Sequence, residues 1–200
     1  MLTINDKMPS FKKLSNLSVN TTIENAFPTV TYENKDGYES KLTINDNEKV
    51  LTKAEGKWLV IFAYPKDFTF ICPTEIKAFS DLNDEFEDMD TQVLGFSTDS
   101  EFVHRAWRND HADIKDVKFP LVADTNGSLS KDLGIYNEEE GIAERATFIV
   151  DPMGVIQHVS INAGSVGRNP DEILRILDAL QQDELCPCNW KAGEDVIKPE

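Results

Sequence analysis

Three sulfur nucleophiles are set unevenly along the 200 residues: Cys72 stands alone in "FAYPKDFTFICPTEIKAFSDL", while Cys186 and Cys188 share "ELCPCNW". A cysteine thiolate attacks electrophilic oxygen or sulfur, ligates metals, or ends in a disulfide. An isolated cysteine is more commonly just a small buried hydrophobe. Position separates the two readings at Cys72. It falls between an apolar run, "WLVIFAY", and an amphipathic stretch, and Pro73 beside it suits a first helical turn. Unpaired N–H groups and the positive end of a helix dipole gather at such a junction, and both favour a thiolate. Complete ionisation raises the thiolate fraction at neutral pH by only about 30-fold. Other groups must therefore stabilise the transition state. Thr69 lies one turn before Cys72 with a hydroxyl that both donates and accepts. Pro65 stiffens the turn and shields the sulfur from water. Arg105, Arg108, Arg145 and Arg168 are the candidate cations. Arg145 opens the run "RATFIVD" directly after "NEEEGIAE", placed to reach the C-terminal end of a neighbouring strand.

The elements that must hold these groups are legible from periodicity. "WLVIFAY" is a continuous apolar run, expected of a strand buried on both faces. The helix after Cys72 carries Ile76, Phe79, Leu82, Phe86 and Met89 on one face. "TQVLGFS" and "FPLVAD" are further strands, "SEFVHRAWRNDH" is a helix opened by a Ser cap, and "SLSKDLGI" is a short helix ended by Gly134. "RATFIVDPMGVIQHVSI" is a hairpin turning at Asp151-Pro152-Met153-Gly154. "NPDEILRILDALQQDE" is a final helix with Ile173, Leu177 and Leu180 in a stripe. Residues 1–57 are polar, with short strands and loops around Asp36-Gly37. The order predicts an α/β fold with a mixed sheet flanked by helices, the hairpin at one edge; thioredoxin-like folds are among those it fits.

The bulk numbers bound the function. The length suits one domain with a sizeable core. The net charge of −16 disfavours nucleic acid and anionic membrane surfaces, which would repel the chain. No apolar run has the length of a membrane span. "MLTINDKMPSFKK" lacks the pattern of a secretory signal, so a cytoplasmic location is expected and the sequon Asn20-Thr21-Thr22 carries no weight. Three cysteines in such a chain speak for redox chemistry or metal binding over a structural disulfide framework. Cys-x-Cys has no histidine or second cysteine pair near it, so no metal is expected. His104 and His111 are expected on or just after a polar helix face and His158 within the hairpin, none at a ligand or triad spacing.

Pro65-x-x-x-Thr69-x-x-Cys72 matches the active-site pattern of the peroxiredoxins. "DFTFICPTE", "FSTDSEFVHRAW", "RATFIVDP", "GSVGRNPDEILRILDALQ" and "DELCPCNWKAGE" extend the likeness over nearly the whole chain, least over residues 13–50. The chain resembles the bacterial alkyl hydroperoxide reductase type of typical 2-Cys peroxiredoxin, in the three-cysteine form of actinobacteria. The resemblance implies a thioredoxin-like fold, with residues 1–165 as the peroxidase domain and 166–200 as a C-terminal helix and tail carrying the resolving cysteine. It implies that Cys72 attacks peroxide and becomes a sulfenic acid, with Thr69 and Arg145 holding the substrate and Pro65 shielding. Glu75 and Arg168 match the pair that orients the arginine, and Trp107 the tryptophan packed near the site. Cys186 matches the resolving cysteine, which in this family comes from the other protomer of a dimer; Cys188 is an auxiliary thiol or a bystander. The bottom-up chemistry agrees that a sulfenic acid needs a thiol partner, and a Pro-interrupted, charged tail is expected to be exposed and mobile enough to supply one.

The implied partners are hydrogen peroxide or organic hydroperoxides, a protein thiol reductant (a thioredoxin, a flavoprotein or a small disulfide reductase), and a second copy, with a ring of dimers beyond it. No cofactor is implied, since sulfur carries the chemistry. Two rival readings are a thioredoxin-like disulfide oxidoreductase, which would need a second cysteine where Thr69 stands, and a holdase-type chaperone with incidental thiols. Peroxiredoxins that over-oxidise readily carry a Gly-Gly-Leu-Gly insert and a C-terminal Tyr-Phe helix. Here the matching segments read "HADIKDVKFPLVAD" and "EDVIKPE". Turnover is therefore expected to continue without inactivation at low micromolar peroxide, and progressive loss of rate during such an assay would contradict this.

Overall fold

In the computed structural model, which describes residues 1–16, 27–35, 40–46, 49–182 and 184–198, the polar N-terminal region is more ordered into sheet than its composition announces. It forms β1 (Phe11–Asn16), β2 (Thr29–Asn34), β3 (Ser40–Asp46) and β4 (Lys49–Glu55), an antiparallel meander. The sequon at 20–22 and the Asp36-Gly37 turn lie outside the described residues. β2 reads Val30 and Tyr32 inward with Thr29, Thr31 and Glu33 between, the alternation of a strand covered on one face.

The centre is β5 (Trp58–Ala63), β6 (Thr91–Ser97) and β7 (Leu121–Ala123), all parallel. Parallel strands need crossovers, supplied here by helices on the sheet's faces. α1 (Cys72–Asp81) and α2 (Asn83–Asp88) join β5 to β6, and α3 (Glu101–Asp110) with the 3-10 turn Ala112–Ile114 joins β6 to β7. The single helix expected after Cys72 is two, because Leu82 leaves helical geometry at ψ 8° and Asn83 starts a new turn with Asp84 and Glu85 at its positive end. The apolar stripe survives the break, and Ile76, Phe79 and Phe86 are all buried.

After α4 (Ser128–Asp132) a small hairpin, β8 (Tyr136–Asn137) with β9 (Ile142–Ala143), stands apart from the main sheet. β10 (Arg145–Val150) and β11 (Ile156–Asn162) are the expected hairpin around Asp151-Pro152-Met153-Gly154, and α5 (Pro170–Gln181) follows. Among the described residues the main sheet has the order β11-β10-β5-β6-β7-β1-β2-β3-β4, mixed, with β10 antiparallel to β5.

β5 is apolar throughout because it has a core on each face. Leu59, Ile61 and Ala63 enter one, with Phe96, Phe148 and Val150; Val60 and Phe62 enter the other, with Ile76, Phe79, Trp107, Ile173 and Leu177. Each fully buried Val, Leu, Ile or Phe side chain among them contributes about 1.5–3 kcal/mol. Gly95 sits where the second core is tightest. A Cβ there would lie 2.9 Å from Leu121 Cδ2 and 2.9 Å from Phe62 Cζ. Gly95→Ala should destabilise the fold by about 1–3 kcal/mol through overpacking. A lower urea midpoint with unchanged slope checks this; an unshifted midpoint contradicts it.

Candidate active site

β5 ends at Ala63, the backbone N–H of Tyr64 still pairs with Phe96 O at 3.0 Å, and residues 65–71 then turn back into α1. Cys72 is the first residue of that helix, with Pro73 at the next position, as the sequence predicts. Its side chain packs in the second core and is 1% exposed. The turn is fixed by its own polar groups. Thr69 Oγ1 donates to Lys66 O at 2.9 Å, and the Asp67 N–H donates to Asp99 Oδ2 at 2.9 Å. Phe68 takes the left-handed conformation at φ 56°, a strained choice for a bulky residue, and its ring lies 6.0 Å from Trp107. Trp107, fully buried, also lies 6.1 Å from Tyr64, so it backs the loop.

Arg145 is the first residue of β10, and the antiparallel pairing of Thr147 with Phe62 carries it past the C-terminal end of β5. Its Nη1 donates towards Cys72 Sγ at 3.8 Å and to Glu75 Oε2, while Nη2 donates to Gly164 O at 2.8 Å. Glu75, one turn into α1, is shared. Arg168 donates to Glu75 Oε1 from Nε and from its backbone N–H, both at 2.9 Å. Arg168 also donates to Ala63 O at 2.6 Å and Ala146 O at 2.9 Å, and its guanidinium lies 5.1 Å from the centre of the Phe62 ring. Burial lowers Arg168 from its ordinary value, and the facing Glu75 carboxylate opposes that.

Pro65, Thr69, Cys72 and Arg145 line one cavity of about 440 Å³. Phe70, 94% exposed, and Ile142 add apolar wall, and Lys66, Glu140 and Glu144 add charge, with Lys66 Nζ 3.2 Å from Glu140. Ile142, Glu140 and Glu144 come from the β8–β9 hairpin and its flank, whose placement no local spacing predicts. Arg105 and Arg108, the other candidate cations, do not reach the cavity: Arg105 lies 3.7 Å over the Phe27 ring, and Arg108 donates to the carbonyls of Lys115 and Val117. His104 corrects the sequence reading. It is fully buried, because the face of α3 that holds it packs under the active-site loop, with Nδ1 2.7 Å from Asp67.

Cys186 and Cys188 line a separate cleft of about 710 Å³ against α5, with Arg175 and Lys191. All three cysteines are free thiols. The tail around them is less loose than expected. Trp190 is buried, Arg175 Nη1 donates to its carbonyl at 2.9 Å, and Leu185 pairs with Ile197. Cys186 is half-buried and Cys188 exposed. Among the described residues no cluster of His, Cys, Asp and Glu suits a metal, and no helix is long and apolar enough to cross a membrane.

The chain matches the model of the AhpC/TSA family over residues 23–159. It is 48% identical over 197 residues to the alkyl hydroperoxide reductase C of Mycolicibacterium smegmatis, covering 98% of this chain and 94% of that protein. Mycobacterium tuberculosis AhpC superposes with a TM-score of 0.75 at 47% identity, over 96% of this chain and 99% of that one. The reduced 2-Cys peroxiredoxin of Plasmodium vivax gives 0.81 at 29% identity, over 100% and 95%. The fold is thioredoxin-like, as expected.

The geometry generates a direct expectation. Glu75→Gln leaves two buried guanidiniums without their shared anion, which should cost about 3–5 kcal/mol. Chemical denaturation measures it, and a loss below about 1 kcal/mol would deny Glu75 this role.

Proposed function

The chain belongs to the AhpC/TSA family, and on that footing we propose that it is a thiol-dependent peroxidase acting through Cys72 and an intersubunit Cys72–Cys186 disulfide. The observation that carries this is the convergence of Cys72, Thr69, Arg145 and Pro65 on one small cavity. The Cys72 sulfur attacks the terminal oxygen of a hydroperoxide, and the O–O bond breaks. The terminal oxygen stays on sulfur as a sulfenic acid, and the remaining oxygen takes a proton and leaves as water or an alcohol. Arg145 faces the charge that builds on the departing oxygen. Its Nη1, the nitrogen directed at the Cys72 sulfur, stands where that charge develops. The Thr69 hydroxyl, its proton committed to Lys66 O, offers lone pairs to the peroxide's hydrogen.

The Cys186 thiol then attacks the sulfenic sulfur, forming the disulfide and releasing water; an external dithiol reduces the disulfide and restores both thiols. Within one chain the two sulfurs line different cavities, which supports resolution by a second copy. Residues 1–165 are the peroxidase unit and 166–200 the resolving helix and tail. The active assembly is a homodimer, joined into a ring of dimers, working in the cytoplasm. Its reductant is a thioredoxin, a flavoprotein or a small disulfide reductase. Cys188, two residues from Cys186 in the same cleft, is the auxiliary thiol.

One equivalent of hydrogen peroxide should shift the reduced protein to a disulfide dimer on a non-reducing gel, and neither Cys72→Ser nor Cys186→Ser should shift. Cys72→Ser should consume no peroxide, and Arg145→Lys should slow consumption by about 10²–10³-fold, as for loss of one positioned donor. Dimerisation of Cys72→Ser, or unchanged turnover by Arg145→Lys, would refute the assignment.

A further inference from the structure

The reaction leaves one buried titratable pair beside the site without a task. Asp67 and His104 have fully buried side chains, with Oδ2 and Nδ1 2.7 Å apart. The other ring nitrogen, Nε2, lies 3.2 Å from the carbonyl oxygen of Val122 on β7. A carbonyl only accepts, so Nε2 carries hydrogen. Nδ1 then faces a carboxyl group. An ionised carboxylate would set lone pair against lone pair, so a second proton lies between the two atoms, whichever of them owns it. Asp67 Oδ1 is buried with no hydrogen-bond partner among the described residues, a costly state for an ionised oxygen.

Among the described residues, the groups recorded against this pair are acidic or neutral. Asp99, from the β6–α3 loop, accepts from the Asp67 N–H at 2.9 Å and from Ser97 Oγ at 2.8 Å. Tyr64, just past β5, has its hydroxyl 3.3 Å from His104 Nδ1. Burial pushes the Tyr64 phenol well up, helped by Asp67 and Asp99. β7 presents the Val122 carbonyl.

Asp67 is also the middle of the active-site loop. Lys66, before it, holds the Thr69 hydroxyl through its carbonyl, and the strained Phe68 follows it. We propose that Asp67 and His104 form a proton-held clasp that positions the loop bearing Pro65 and Thr69, so that peroxide reduction weakens when rising pH removes the clasp's proton. The inference rests on the peroxidase reading and adds two positioning residues to it. Burial raises the Asp67 carboxyl above its usual range, with His104 opposing. A group raised in the folded state holds its proton, and contributes its stability, at low pH. That contribution is lost as pH rises through the folded value. The clasp is therefore closed at low pH and opens as pH rises through that folded value.

The test compares kcat/KM for hydrogen peroxide in the wild type, Asp67→Asn and Asp67→Ala between about pH 5 and 10. All three retain Cys72, so their ratios isolate the change at position 67. An asparagine amide donates to neutral Nδ1 without a proton to lose. Asp67→Ala should fall by about 10–100-fold at neutral pH, as for a displaced positioning group, and Asp67→Asn should recover most of that. The wild-type rate relative to Asp67→Asn should then decline as pH rises. Superimposable wild-type and Asp67→Asn profiles overturn the clasp while leaving the peroxidase intact. So does Asp67→Ala within twofold of wild type; if Asp67→Ala does not fold, the wild-type to Asp67→Asn ratio decides. No peroxide consumption by wild type at any pH overturns the peroxidase reading and the clasp with it.

Discussion

The site depends on one carboxylate serving two arginines. A buried charge is tolerated only when it is paired and hydrogen-bonded, and here Glu75 answers for both Arg145 and Arg168. The formal sum of the three is +1, so the cluster keeps a positive remainder beside the Cys72 sulfur. Arg168 spreads the constraint further, because the same guanidinium takes the carbonyls of Ala63 and Ala146. One ion cluster thus ties the end of β5, the start of β10 and the first turn of α1 to each other. Moving any of them would strand a charge.

Sheet topology brings the members of this cluster together. β5 runs towards the site and β10 runs away from it, so their antiparallel register brings the end of one strand beside the start of the other. The helix that follows β5 presents its N-terminus in the same place. Sites at the carboxyl ends of parallel strands follow this rule generally. The apolar content of β5 has the same origin as its precision: with a core on both faces, the strand has no freedom to shift.

Local chemistry was legible in the sequence where a residue's role depends on its immediate neighbours. Cys72 beside Pro73 announced a helix start, Asp151 to Gly154 a turn, and Ile173 with Leu177 a buried face. Arg145 could be singled out because it opens a strand after a charged loop. What stayed hidden depends on distant partners. His104 reads as a polar residue on α3, and only its meeting with Asp67, 37 residues earlier, explains its burial. The N-terminal strands were visible as short alternating pieces, yet their continuity with the main sheet rests on β1 meeting β7, more than a hundred residues away. The break at Leu82 left no trace, since the apolar stripe runs through it.

The three sulfurs stand in graded contact with solvent: Cys188 is exposed, Cys186 half-buried and Cys72 enclosed. A bulky alkylating probe ranks them by access and marks the tail first. A molecule small enough for the cavity meets Cys72 instead, with Arg145 beside it. Labelling therefore counts the two tail thiols before the one thiol that lies beside Arg145.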